Sequence, residues 1–457
     1  MKKKFTLQAG IILLLAFSAG PVAAQTNPAI TSWYINTTGL TGRHYVIGSS
    51  TPIIDASYPA NVQSVAYNTT HVYVSCSGVP AYIVGPYLDG NPSNAADNDN
   101  IYRIPLTPVE NTGTPTATTA GTIGVFVNGV SLFDYRDGVS WKNSTSAEAG
   151  GPLGGSGDGV WNRDAVVAEM VGFDCAKGHP AGTNYHHHQN PSAFNLDLSV
   201  VSNVCDTYLA DGLYVIDSTI HSPLLGFAYD GFPIYGAYGY KNLDGTGGIV
   251  RIKSSYALRS MSARTHYADG TDVTDGPPIN STYPLGRYRE DYEYIPTSAS
   301  TPDYLDEHNG RICVTPEYPA GIYCYFTTVD ENWNSAYPYA VGPTFYGTKV
   351  VTLVTSLPGG LTTYTPSSMA ELTPSAFHMT VFPNPANNQV IVQCKKVSQH
   401  NRKVELLSLE GKVVQTQTIF QGSTLCFFDT QTVLPGTYMV KITEGDATEI
   451  GRIVIAQ

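Results

Sequence analysis

Four of the eleven histidines stand within fourteen residues, in the stretch GHPAGTNYHHHQNP from Gly178 to Pro191. Imidazole titrates near neutrality and is the commonest metal-binding side chain. If NYHHHQ is a strand, side chains alternate between faces, so His186 and His188 point one way and Tyr185 and His187 the other. Two imidazoles on one face can share an ion, with ring nitrogens about 2.0–2.1 Å from zinc. Two ligands rarely suffice, so others must join them. His179 lies just across the turn PAGTN. His221, in IHSPLLGFAYDGFPIYGAYGY, joins if the fold lays that strand alongside. The expected metal set is therefore His179, His186, His188 and His221, with Asp230 and Glu307 as carboxylate candidates. Imidazole-rich sites suit copper, zinc, iron or nickel, and copper or zinc is the expected cofactor. The competing reading is a polar network in which each imidazole donates to a carbonyl or carboxylate.

Other catalytic signals are weak. GGPLGGSGDG lacks the Lys-Ser/Thr ending of a phosphate loop, and no G-x-S-x-G element occurs. Asp306, Glu307 and His308 in DEHNG read first as turn and cap residues. Tyr235, Tyr238 and Tyr240 can stack on a sugar or simply pack a strand with the hydroxyl at its edge.

The elements that must position these groups are mostly β. Tyr (31), Gly (44) and Pro (30) are abundant and charged residues are only 14%. That composition favours short strands and tight turns over long helices. One helical piece is expected around WNRDAVVAEM, with Asp164 as its cap. The net charge of −12 argues against a nucleic-acid partner, because no basic stripe exists to neutralise phosphates.

Residues 1–24 read as a secretory signal: three lysines, a short apolar run and Val-Ala-Ala before Gln25. The run is too short for a spanning helix, and no later stretch is long and apolar enough for one. An oxidising destination allows disulfides among the seven cysteines. Near neighbours pair Cys175 with Cys205, Cys313 with Cys324 and Cys394 with Cys426, which leaves Cys76 over.

Along the chain, a β-rich N-terminal region (25–105) precedes a long Tyr-rich section (106–354). A Ser/Thr/Pro linker (355–376) then leads to a final segment (377–457) of short alternating strands. FPNPANNQVIV, VELLSLEGKVV, LPGTYMVKI and RIVI in that segment closely resemble the type A C-terminal sorting domain of the type IX secretion system. The resemblance implies a small β-sandwich, handling by the type IX machinery, and a secreted or outer-cell-surface destination. The middle section resembles the YHYH domain family through VNGVSLFD, WNRDAVVAEMVGFDCAKGHPAGTNYHHHQNP, HSPLLGFAYDGFPIYGAYGY and LDEHNGRICVTPEYPAGIYCYF. Tyr185, His186 and His188 match the eponymous motif, and His187 replaces its second Tyr. A second such stretch is not expected, since Tyr323-Cys324-Tyr325-Phe326 holds no histidine. The resemblance names a domain and not a reaction. A metal-binding protein, a metal-dependent oxidoreductase or hydrolase, and a non-catalytic module for a surface glycan or protein all remain open.

Overall fold

The computed structural model describes residues 27–366, 377, 379–382, 386–395, 397, 400–408, 411–445 and 447–455. The expected signal segment and the end of the expected linker lie outside the described residues. The chain divides at Thr365/Pro366 into two compact units, and strands dominate both. The fold is mostly β, as the composition requires.

The first unit is built on an eight-stranded sheet. In chain order its strands are β1 (Thr122–Phe126), β2 (Ser131–Phe133), β3 (His179–Ala181), β4 (Asn184–His187), β5 (Leu224–Ala228), β6 (Pro233–Tyr235), β7 (Gly310–Cys313) and β8 (Ile322–Phe326). They lie side by side as β3-β4-β2-β1-β5-β6-β8-β7. Every residue of the central strand β5 is buried, as expected for a strand covered on both faces. Val125, Phe126, Leu132, Phe227, Ile234 and Tyr325 contribute to one continuous core. A second sheet of five strands places Thr352–Leu353, Asn100–Pro105, His71–Cys76, Val62–Tyr67 and Thr362–Thr363 in that order. Its edges come from the end of the Tyr-rich section and from just beyond it. Thr362 pairs with Tyr67 and Thr363 with Ala66, inside the stretch that reads as linker.

The expected helix is a single turn, Ala165–Ala168. Its cap is Asp164, whose side chain accepts from the backbone N–H groups of Val166 and Val167. Tyr339 donates to the other oxygen of Asp164 at 2.8 Å. Burial pushes this carboxyl up to about 8. Downstream, a bidentate pair anchors the segment around residues 256–294. Arg264 Nε and Nη2 reach Asp291 Oδ1 and Oδ2 at 2.7 and 2.8 Å, with both side chains fully buried.

Of the three expected disulfides, one is formed: Cys175–Cys205. Cys313 and Cys324 remain thiols, as do Cys394 and Cys426. Strand register explains this. Cys313 stands opposite Ile322 while Cys324 stands opposite Arg311. Cys394 stands opposite Met379 while Cys426 stands opposite Val392. Each pair stands diagonally rather than directly opposite in its ladder. Cys76 is buried, with its thiol toward Gly129 O.

The second unit stacks a three-stranded sheet (Met379–Phe382, Gln389–Cys394, Leu425–Asp429) on a four-stranded one (Arg402–Leu407, Val413–Ile419, Gly436–Glu444, Ala447–Ile455). Val390, Val392 and Phe428 from the first share a core with Val404, Leu406, Val440, Ile442 and Ile453 from the second. This is the expected small β-sandwich. Among the described residues no helix is long and apolar enough to cross a membrane.

Candidate metal centre

Strands β3 and β4 form a tight antiparallel hairpin in which His179 stands opposite His186. Gly182 turns the chain with φ +61°, a conformation that favours glycine. The hairpin is pinned from behind. Tyr185 donates to both oxygens of Asp174 at 3.0 Å, and Asp174 also accepts from the backbone N–H groups of Gly85 and Gly178. Gly178 is required there, because a Cβ would come within 2.3 Å of the Tyr185 hydroxyl. The Cys175–Cys205 bond closes the loop that contains the whole hairpin.

The parallel pairing of β4 with β2 sets His186 beside Ser131 and His187 beside Leu132. Just past β4, His188 therefore meets the end of β2, where its Nδ1 donates to Asp134 O at 2.7 Å. His186 Nδ1 donates likewise to Asn184 O at 3.0 Å, and its ring stacks on Phe133 with centroids 3.9 Å apart. A carbonyl can only accept, so both imidazoles spend their proton on Nδ1 and leave Nε2 as a bare lone pair. Those two Nε2 atoms are 3.0 Å apart. His179 Nε2 is 3.4 Å from His188 Nε2. One nitrogen from each of the three histidines falls within 4.8 Å of the others, and all three residues are buried.

Protonation does not relieve this crowding at neutral pH. Burial, then the neighbouring imidazoles His188 and His179, hold His186 well below its ordinary range. Burial holds His188 down to about 4, despite the opposing pull of Glu169. Ligand nitrogens each about 2.0–2.1 Å from a shared ion stand about 2.9 Å apart at right angles and about 3.4 Å apart at the tetrahedral angle. The two observed separations fall within that span.

His187 faces away, as alternation requires. It is fully buried, with Nε2 2.6 Å from the Tyr82 hydroxyl and Nδ1 donating to Lys177 O at 3.1 Å. His221 is not brought to the cluster. It precedes β5, which is separated from β4 by β2 and β1, and its ring packs against Tyr235 and Tyr240. Asp230 is buried elsewhere, accepting from Tyr325 and Gly347, and Glu307 is exposed. Asp306 Oδ1 accepts from the N–H groups of His308 and Gly310, so DEHNG is turn chemistry.

One neighbour escaped the sequence reading. Glu169, the residue that ends the short helix, places Oε2 at 3.3 Å from His179 Nε2 and 3.5 Å from His188 Nε2. The only signal for it was an acid in WNRDAVVAEM, ten positions before His179.

The family relationship now has its geometry. Residues 101–338 match the YHYH protein family. The chain belongs to the YHYH family. Residues 380–456 match the secretion system C-terminal sorting domain, so this YHYH protein is handled by the type IX machinery and exported to the cell surface or beyond. No curated protein matches the chain.

The depressed basicity of His188 has a measurable consequence for the metal-free YHYH protein. Its folded value, about 4, lies below its ordinary 6.5. Between those values the unfolded chain binds a proton that the folded chain refuses, so stability falls as pH drops through this window and is unaffected above it. The loss amounts to about 3 kcal/mol at pH 4. Urea unfolding of chelator-treated wild type and His188→Gln across pH 4–7 measures it. The wild-type slope is expected to exceed that of the variant, and parallel curves would contradict the assignment.

Proposed function

We propose that this exported YHYH protein holds one transition-metal ion, copper or zinc, on His179, His186 and His188. One observation carries the reading: two unprotonated Nε2 atoms face each other 3.0 Å apart in a buried site, with a third imidazole alongside. Two lone pairs at hydrogen-bond distance repel unless a cation lies between them. The carbonyl contacts at Nδ1 of His186 and His188 are the outer-shell support that fixes ring orientation in metal-binding imidazoles. Softness and ligand type favour copper or zinc at such a site.

The test uses the mature chain carrying both units. After loading with copper or zinc and removal of unbound ion by gel filtration, elemental analysis is expected to find one ion per chain. Retention of neither copper nor zinc at stoichiometric levels would overturn the proposal.

A further inference from the structure

We infer that Glu169 is a fourth protein ligand of this centre, and that the centre's remaining position opens into the adjoining cavity to receive a small exogenous ligand. The inference rests on the three-histidine reading and goes beyond it.

The first support is a buried carboxylate oxygen aimed at the imidazoles. Burial works against the charged form of Glu169, yet His179 and His188 hold its carboxyl below the ordinary range. Its Oε2 has no well-aligned hydrogen bond and stands at 3.3 and 3.5 Å from two Nε2 atoms. A carboxylate oxygen about 2.0–2.2 Å from a shared ion would stand close to those distances from the nitrogens. Charge agrees with geometry, since three neutral imidazoles leave a dication uncompensated in a buried site and one carboxylate halves that charge. The anchor is also firm. Glu169 follows the helical turn capped by Asp164, and its N–H bonds to Ala165 O at 2.8 Å.

The second support is access. A cavity of about 590 Å³ is lined by Glu169, His179, His186 and His188 together, with Phe133 and Arg136 among its other walls. A closed structural ion has four protein ligands that complete its shell with no approach from solvent, whereas an ion with four protein ligands in a five-coordinate shell keeps a fifth position free. Here every ligand lies on the wall of one chamber. Among the described residues that line the chamber, Arg136 is the one cation, and it is already paired with Asp134. The open position therefore suits a small ligand such as water or a monoatomic-to-triatomic anion.

Cobalt(II) is the probe, because its visible absorption reports coordination directly. In the full mature chain, wild type is expected to bind one Co(II). Glu169→Gln, which keeps size and loses charge, is expected to weaken binding at least about 10-fold and to shift the visible bands. Glu169→Asp keeps the carboxylate and is expected to fall between the two. Azide added to the wild-type Co(II) form is expected to produce a new charge-transfer band. Wild-type affinity and spectrum in Glu169→Gln, with binding lost in His186→Ala, would overturn the fourth ligand while leaving the three-histidine reading intact. A spectrum indifferent to azide would overturn the open position. Failure of wild type to take up Co(II), copper or zinc would remove both readings together.

Discussion

Replacing His186 and His188 with alanine is expected to abolish stoichiometric metal binding, while replacing His187 is expected to leave it intact. The contrast follows from three consecutive imidazoles of which only the outer two meet. His186 and His188 bring two unprotonated Nε2 atoms to 3.0 Å from each other. His187 spends both nitrogens on the opposite side, against Tyr82 and Lys177. Elemental analysis after loading reads the first effect. Thermal unfolding reads it a second way, since metal at about 100 times its dissociation constant stabilises the native state by about 2.7 kcal/mol. Wild type and His187→Phe should show that rise on adding metal, and the double variant should show none. His187→Phe should instead begin from a lower baseline, because it leaves the Tyr82 hydroxyl and the Lys177 carbonyl buried without their partner. Equal metal content in all three proteins would refute the centre.

The second large effect concerns Arg264. Its guanidinium is fully buried, bonded twice to Asp291 and to the carbonyl oxygens of Pro277, Tyr283 and Pro284, and it lies over the ring of Tyr288. Arg264→Met is expected to destabilise the first unit by about 3–5 kcal/mol, because Asp291 is left as an uncompensated buried charge. In thermal unfolding this corresponds to a drop on the order of 5–10 °C. Arg264→Lys is expected to recover little, since a point charge cannot reproduce a planar fork with this many acceptors. The effect should reach the histidine cluster. Asp291 also accepts from the N–H groups of Gly286 and Tyr288 and so shapes the turn that carries Glu290. Glu290 grips the N–H and the side chain of Asn162, and Asn162–Asp164 leads directly into the helical turn that ends at Glu169. A stability curve indistinguishable from wild type would refute this account.

The sequence made some of this legible and hid the rest for physical reasons. Alternation alone placed His186 and His188 on one face and His187 on the other, because strand period is a local property. His179 followed from a short turn, also local. His221 was misplaced because its position depends on strand order. Two intervening strands separate β4 from β5, and no local pattern encodes that β4 pairs in parallel with β2. Glu169 was missed for a related reason. A lone acid at the end of a four-residue helix carries no spacing signal, and its meeting with His179 depends on how the capped turn packs. The cysteines show the same limit, since proximity in sequence found Cys175–Cys205 but could not see that Cys313 and Cys324 are diagonal. The strand-rich C-terminal segment was legible because its strands alternate apolar and polar residues between turn residues, although two of its pairings, Gln389–Cys394 with Leu425–Asp429 and Arg402–Leu407 with Gly436–Glu444, skip intervening strands.

The five-stranded sheet in the first unit bears on how this chain comes to be folded at all. Its inner strands are made early and its two edge strands last, at Thr352–Leu353 and Thr362–Thr363. Contacts of such long sequence separation form slowly, because the loop entropy is lost before the pairing is gained. Until Thr363 is synthesised the earlier strands have open edges, so the sheet is completed late. That order sets a boundary for truncation: a fragment ending at residue 338 holds the histidine hairpin and its supports but leaves both margins of that sheet unpaired, open to the edge-to-edge association that exposed strands invite.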